Sequence, residues 1–308
     1  MTEEFRAGFA TFVGRPNVGK STLTNALVGE KVAITSSKPQ TTRRAIRGIV
    51  HTPTGQLIVV DTPGMHRPRT LLGERLNAVV QETLAEVDVV GLCVPADEKL
   101  GPGDRYINEQ LDRFPRARKV AIVTKTDAAS KAAVAGQLQA VNELREWDLV
   151  IPVSSLGHVQ LDVLAQELIA LMPVSPPLYP DDAVTDESSQ SRVAELIREA
   201  ALEDVQDELP HSITVTIDDM IDREDSDLLD IYANLWVERD SQKGIIIGRG
   251  GQRLQEVGSR ARAEIERLLG RRVYLSLRVP ILSCPNLAEF FQETSPRFQV
   301  KVPQLLNG

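Results

Sequence analysis

Cysteine is nearly absent. Cys93 and Cys284 are the only two in 308 residues, too few for a disulfide framework and in keeping with a reducing compartment. The four histidines (His51, His66, His158 and His211) are scattered, and no Cys/His cluster has the spacing of a structural zinc site. No apolar run approaches the ~18 residues a membrane-spanning helix needs. The opening MTEEFRAGFA holds two acids and no apolar core, so a secretory signal is not expected there. Together these absences leave a soluble cytoplasmic protein as the expectation. What is present is an ordinary globular composition, 42% hydrophobic and 25% charged. The length is about twice a usual domain, which favours two domains over one.

The net charge of −8 argues, taken alone, against a nucleic-acid partner. The average hides a segregation. Residues 1–180 carry a net +1, residues 181–230 a net −14, and residues 239–278 a net +6. With a Debye length of only about 8 Å at physiological salt, a basic block inside an acidic protein can still bind a polyanion locally. The acidic stretch reads as solvated surface, or alternatively as an internal mimic of a polyanion that shields the basic block.

Up to residue 172 the chain alternates strand-like and helix-like segments. Apolar stretches near 8–13, 56–60, 87–94, 119–124 and 149–153 predict strands. Amphipathic stretches near 20–28, 74–86, 103–113, 130–145 and 158–171 predict helices. That alternation indicates an α/β domain with a mostly parallel sheet covered on both faces. Residues 28–46 fit neither period and predict a long functional loop. MPVSPPLYPDD at 172–182 has four prolines followed by acids, which predicts an extended linker over 173–189. Beyond it the order helix, strand, strand, short helix, helix, strand over 190–279 predicts a smaller α+β domain with a three-stranded sheet. The longer helix of this pair carries Leu254, Val257, Ala261, Ile265 and Leu268 at helical spacing.

Gly14-Arg15-Pro16-Asn17-Val18-Gly19-Lys20-Ser21, followed by Thr22, fits GxxxxGK[ST] between a strand and a helix. The glycines let backbone N–H groups approach phosphates, Lys20 can reach the β- and γ-phosphates, and the Ser21 hydroxyl can ligate Mg²⁺. Asp61-Thr62-Pro63-Gly64 ends a later strand, where a carboxylate can hold a Mg²⁺-bound water and a glycine N–H can sense a γ-phosphate. Thr124-Lys125-Thr126-Asp127 ends another strand. An Asp there accepts from both N1–H and the N2 amine of guanine, a pair adenine does not offer. Ser154-Ser155 is a weaker signal, either an N–H donor to guanine O6 or a helix cap. Thr41-Thr42 lies in the polar loop, where a hydroxyl can complete the Mg²⁺ shell. Taken in this order, these elements describe a guanine-nucleotide switch using GTP/GDP and Mg²⁺.

With GRPNVGKS, PQTTR, DTPG, TKTD and SSL in this order and spacing, the sequence resembles the translation-factor-related bacterial GTPases, and among them the Era family. The resemblance implies phosphate-loop contacts from Asn17 to Thr22, Mg²⁺ ligation by Ser21 and Thr42, a supporting role for Asp61, and guanine reading by Lys125 and Asp127. Where the family usually has Asn, this chain has Thr124, which keeps a hydroxyl but loses the two-way hydrogen bonding of an amide. Met65 follows DTPG, where Ras-like enzymes place a water-orienting Gln. Slow intrinsic hydrolysis is therefore expected, assisted by a partner or a monovalent cation. Similarity to related potassium-dependent GTPases points to Asn17 as the K⁺ contact.

In the basic block, Lys243-Gly-Ile-Ile-Ile-Gly248-Arg249-Gly250-Gly251-Gln-Arg253 holds GxxG between two helices. This is the mark of a KH domain, whose loop clamps about four nucleotides of single-stranded RNA. Two glycines remove bulk so that backbone meets phosphate, and the following helix offers its positive end. The helix order resembles the type II KH fold found in the Era family, and the resemblance spans about nine-tenths of the chain. It implies binding to the 3′ region of small-subunit ribosomal RNA and to the small (30S) subunit during its assembly. A monomer is expected, with peripheral contact at the inner face of the cell membrane as a further expectation. The tail at 280–308 departs from the family's basic, Trp-containing continuation. Two other readings stay open: an RNA-binding assembly protein whose nucleotide site scarcely turns over, and a tRNA-modifying GTPase. The second is disfavoured because such enzymes carry additional domains and catalytic cysteines.

Overall fold

A computed structural model of the chain describes residues 4–35, 45–63, 71–203, 213–224 and 226–282. The first unit is a sheet of six strands, β1 (Arg6–Val13), β2 (Ile46–Thr52), β3 (Gly55–Asp61), β4 (Val89–Pro95), β5 (Arg118–Thr124) and β6 (Leu149–Pro152), in the spatial order β2-β3-β1-β4-β5-β6. All neighbours are parallel except the β2–β3 hairpin. The helices are α1 (Lys20–Val28), α2 (Leu71–Glu86), α3 (Pro102–Gln110), α4 (Lys131–Asn142) and α5 (Leu161–Ala170).

Side chains alternate between the two faces of each strand, so one sheet supplies two cores. Phe12, Leu57 and Val59 face α1 and α5, where they meet Leu23, Leu164 and Leu168. Val60, Val90, Leu92 and Val94 face the other way, onto Leu84, Ile107 and Val141. Burial on both faces explains why β3 and β4 are buried along their whole length. The parallel strands all end at one rim. That rim carries Gly14, Thr124 and Ser154, with Asp61 at the end of β3, as open α/β sheets carry their sites.

Strand β2 lies outside the expected strands. Its sequence IRGIVHT lacks clean alternation, and it exists because the turn at 53–54 folds it back on β3 with Ile46 opposite Asp61. The proline-rich segment that follows α5 runs along this edge. The Ile49 N–H donates to the Val184 carbonyl at 2.9 Å, and the Thr185 hydroxyl donates to the Arg47 carbonyl at 2.6 Å. Arg47 pairs with Asp186 at 2.6 Å, and the Gln56 carbonyl oxygen accepts from the Leu178 and Tyr179 N–H groups. The expected linker is therefore a strap bonded to the sheet edge, because an edge strand's free donors and acceptors recruit any extended chain nearby.

The second unit comprises α6 (Ser189–Leu202), β7 (Thr214–Asp222), β8 (Leu228–Trp236), α7 (Asp240–Ile247), α8 (Gln252–Leu269) and β9 (Arg272–Arg278). This is the expected element order. The sheet runs β7-β8-β9, antiparallel then parallel, the parallel step being bridged by α7 and α8. Val193 and Ile197 of α6, Ile231 and Leu235 of β8, and Val257, Ala261 and Ile265 of α8 form its core. Ile34 from the first unit, only 3% exposed, belongs to the same core. The Ser188 side chain caps α6 by accepting from the Ser191 N–H. Residues 204–212, between α6 and β7, lie outside the described residues, as does the tail from 283.

Candidate functional site

The loop from Gly14 to Gly19 joins β1 to α1. A Cβ at Gly14 would lie 2.7 Å from the Cys93 carbonyl oxygen, so the loop's approach to β4 needs glycine. The Cys93 thiol beneath it is pushed up to about 12 by burial, which makes it an inert packing group. Lys20 is buried, and its Nζ donates to the carbonyls of Gly14 (3.3 Å) and Arg15 (3.1 Å). Burial lowers the Lys20 pKa, against the opposing pull of Asp61. An anion at the loop would relieve that cost. The Ser21 hydroxyl donates to Asp61 Oδ2 at 2.9 Å, which joins the phosphate loop to the end of β3. Outside the loop, Arg15 donates to Asp104 at 2.8 Å and to Glu98 at 3.0 Å, and Asp104 also holds the Gly101 N–H at the start of α3.

Across the rim, the buried Thr124 hydroxyl donates to the Val18 carbonyl at 2.7 Å. The Thr that replaces the family's Asn thus still ties the end of β5 to the phosphate loop. Lys125 takes a left-handed conformation (φ 56°) and lies 3.6 Å from Asp97. The Ser154 hydroxyl donates to Asp127 Oδ1 at 2.5 Å and accepts from the Gly157 N–H. Ser154 acts here through its side chain, as an orienter of Asp127. Thr62 is buried beside Thr11. Thr41, Thr42, Gly64 and Met65 lie outside the described residues.

In the second unit, Gly248 to Gly251 link α7 to α8. Gly248 has φ 72°, and a Cβ there would sit 2.7 Å from the Arg253 Cβ. Arg249 is exposed on the loop, Ile245 is 46% exposed on α7, and Ile246 is buried. Lys243 is half-buried one turn before the loop. Beside the loop lies a cleft of about 330 Å³, lined by Arg249, Arg253, Val257 and Arg260 opposite Glu203. The Glu203 carboxylate pairs with Arg260 at 2.8 Å, and its carbonyl accepts from Arg253 at 3.3 Å. Arg271 pairs with Asp222 (2.6 Å) and Asp227 (3.7 Å). Parts of the acidic stretch therefore do neutralise parts of the basic block.

Comparison with known proteins bears on both units. Residues 9–126 match the family described as 50S ribosome-binding GTPase, and residues 208–282 match the KH domain. The chain is 68% identical to GTPase Era of Leifsonia xyli over 279 residues, covering 90% of this chain and 94% of that one. It is 60% identical to GTPase Era of Mycolicibacterium smegmatis over 281 residues, with the same coverage. The chain belongs to the Era GTPases. It is accordingly a GTP-hydrolysing enzyme. Among solved structures, Era in complex with MgGDPNP and nucleotides 1506–1542 of 16S ribosomal RNA superposes with a TM-score of 0.87 at 34% identity, over 94% of this chain and 98% of that one. A point variant of Aquifex aeolicus Era bound to GDP·AlF4⁻ gives the same TM-score and identity over 93% and 98%.

In this Era GTPase the fold brings Lys20, Ser21, Asp61, Thr124, Asp127 and Ser154 to one rim. Sequence reasoning missed Asp104, Glu203 and Arg260. A negative charge at the N-terminal turn of α3 was the available signal for Asp104. No local signal marks the other two.

Proposed function

We propose that the protein is a GTP-driven switch that binds the 3′ region of small-subunit (16S) ribosomal RNA through its KH domain and acts in assembly of the 30S subunit. The observation that carries this reading is the joining, in one chain, of a phosphate loop tied to Asp61 and Thr124 with a glycine-rich loop that carries Arg249 and is followed by Arg253. Supporting it is the match to an Era structure that holds nucleotides 1506–1542 of 16S ribosomal RNA.

In the nucleotide unit, residues 1–172, the phosphate loop Gly14 to Thr22 surrounds the phosphates with the N–H groups of Asn17 to Thr22, and Lys20 faces the β- and γ-oxygens. Ser21 and Thr42 would hold Mg²⁺, with Asp61 supporting the site. The hydroxyl and carboxylate of Ser21 and Asp61 are hard oxygen donors at hydrogen-bond distance, a set that suits Mg²⁺. When bound, Mg²⁺ neutralises phosphate charge. Asp127, oriented by Ser154, reads guanine; Lys125 covers the base; Thr62, Pro63, Gly64 and Met65 follow the γ-phosphate; and Thr126 and Ser155 flank the base-reading residues. Met65 offers no strong hydrogen bond to an attacking water, so turnover is slow unless RNA or K⁺ at Asn17 assists it. Residues 173–189 connect this unit to the KH domain at 190–279, where Lys243, Gly248, Arg249, Gly250, Gly251 and Arg253 meet RNA phosphates. The protein acts as a cytoplasmic monomer, with peripheral contact at the membrane's inner face a secondary expectation. Among the described residues no helix is long and apolar enough to cross a membrane.

The test is GTP turnover in potassium and in sodium buffer, with and without an RNA from the 3′ end of 16S ribosomal RNA. A rise on adding RNA, potassium or the two together is expected. Tight binding of both ligands with no rise would instead favour a nucleotide-gated binding protein.

A further inference from the structure

Residues 36–44, which include Thr41 and Thr42, are bracketed by two anchors that lead to the same helix. On one side, residues 30–35 dock on α6. The Glu199 carboxylate, 8% exposed, holds Lys31 Nζ at 2.5 Å, the Thr35 N–H at 2.8 Å and the Thr35 hydroxyl at 3.2 Å. Arg192 donates to the Lys31 carbonyl at 3.2 Å, Lys31 also reaches Glu264 of α8 at 3.5 Å, and Ile34 is buried in the second core. On the other side, β2 is bonded through Val184, Thr185 and Asp186 to the strap that enters α6. The C-terminal cap of α6 is Glu203, about 21 Å from where the strap enters and about 6 Å beyond Glu199 at 1.5 Å per residue, and it grips Arg253 and Arg260 beside the GxxG loop.

We propose that α6 is the element that couples the two sites, with Glu199 as its positioning residue: it locks the chain preceding Thr42 to the last turn of a helix whose C-terminal cap, one turn further on, holds the arginines of the RNA cleft. A nearly buried carboxylate is costly unless donors satisfy it. Here the donors, Lys31 and Thr35, all come from the other unit. A displacement of residues 31–35 is thus passed to a rigid rod and then to Glu203, rather than absorbed locally. The coupling is reciprocal, so RNA at the cleft alters nucleotide affinity by the same factor. This proposal rests on the function given above.

The test measures the affinity of a fluorescent RNA spanning nucleotides 1506–1542 of 16S ribosomal RNA with a non-hydrolysable GTP analogue and with GDP bound. In the unmodified protein the two affinities are expected to differ by about fivefold or more, the usual scale of coupling. In Glu199→Gln and in Lys31→Met the ratio should fall to within about twofold of one, while nucleotide affinity stays within about twofold. Two variants on opposite units guard against one failing to fold, and a melting curve on each separates loss of coupling from loss of stability. An undiminished ratio in both variants would overturn the proposal. So would an unmodified ratio near one, with RNA binding and hence the functional reading left standing. No RNA binding in either state would overturn that reading and the proposal together.

Discussion

Asp127, the carboxylate proposed to read guanine, has its direction set by a neighbour. Asp127 follows a left-handed Lys125, and its Oδ1 accepts from Ser154, which is itself held by the Gly157 N–H. Removing the hydroxyl leaves Asp127 free to rotate and takes away a charge-assisted hydrogen bond worth about 1.5–3 kcal/mol in total, only part of which is felt on binding. Ser154→Ala should therefore weaken GDP binding about fivefold and erode its margin over ADP, as read by competition against a fluorescent guanine nucleotide. An unchanged margin would mean that Asp127 keeps its direction unaided. Thr124 makes a related point. One hydroxyl suffices to tie β5 to Val18.

At the scale of elements, each loop rests on glycine where backbone must come close. Gly248→Asp would force an acidic side chain into a left-handed position against the Arg253 Cβ and set like charge against phosphate. RNA affinity should fall at least tenfold while GDP affinity stays within about twofold, in parallel titrations of one preparation; intact RNA binding would remove the GxxG loop from the RNA contact. Most elements were legible in the sequence because their signals are local: the phosphate loop, the apolar strands and the stripe Val257, Ala261, Ile265. Strand β2 was not, since its pairing comes from the hairpin and its own residues alternate poorly. The same holds for the partnerships Arg15–Asp104, Ser154–Asp127 and Thr35–Glu199, which join residues 89, 27 and 164 positions apart. Such pairs are created by sheet order and domain docking, and no window of sequence contains both members.

For the molecule as a whole, the strap is where the two units become one. It covers the β2 edge of the large sheet, so a boundary placed at 172 would cut through a structural contact. A fragment 1–172 should melt several degrees below a fragment 1–188 and self-associate in sedimentation, because bare edge strands pair with one another; equal melting and a monomeric 1–172 would count against the strap as a seal. The order of residues along the chain adds a temporal side to this. Strand β2 is complete at Thr52, but its cover begins only at Ala183. At roughly 5–20 residues per second of synthesis, a ribosome making this protein leaves that edge unpaired for roughly 7–26 seconds in every copy. During that window the nascent first unit must stay apart from its neighbours on the same message, and only the arrival of the strap ends its exposure.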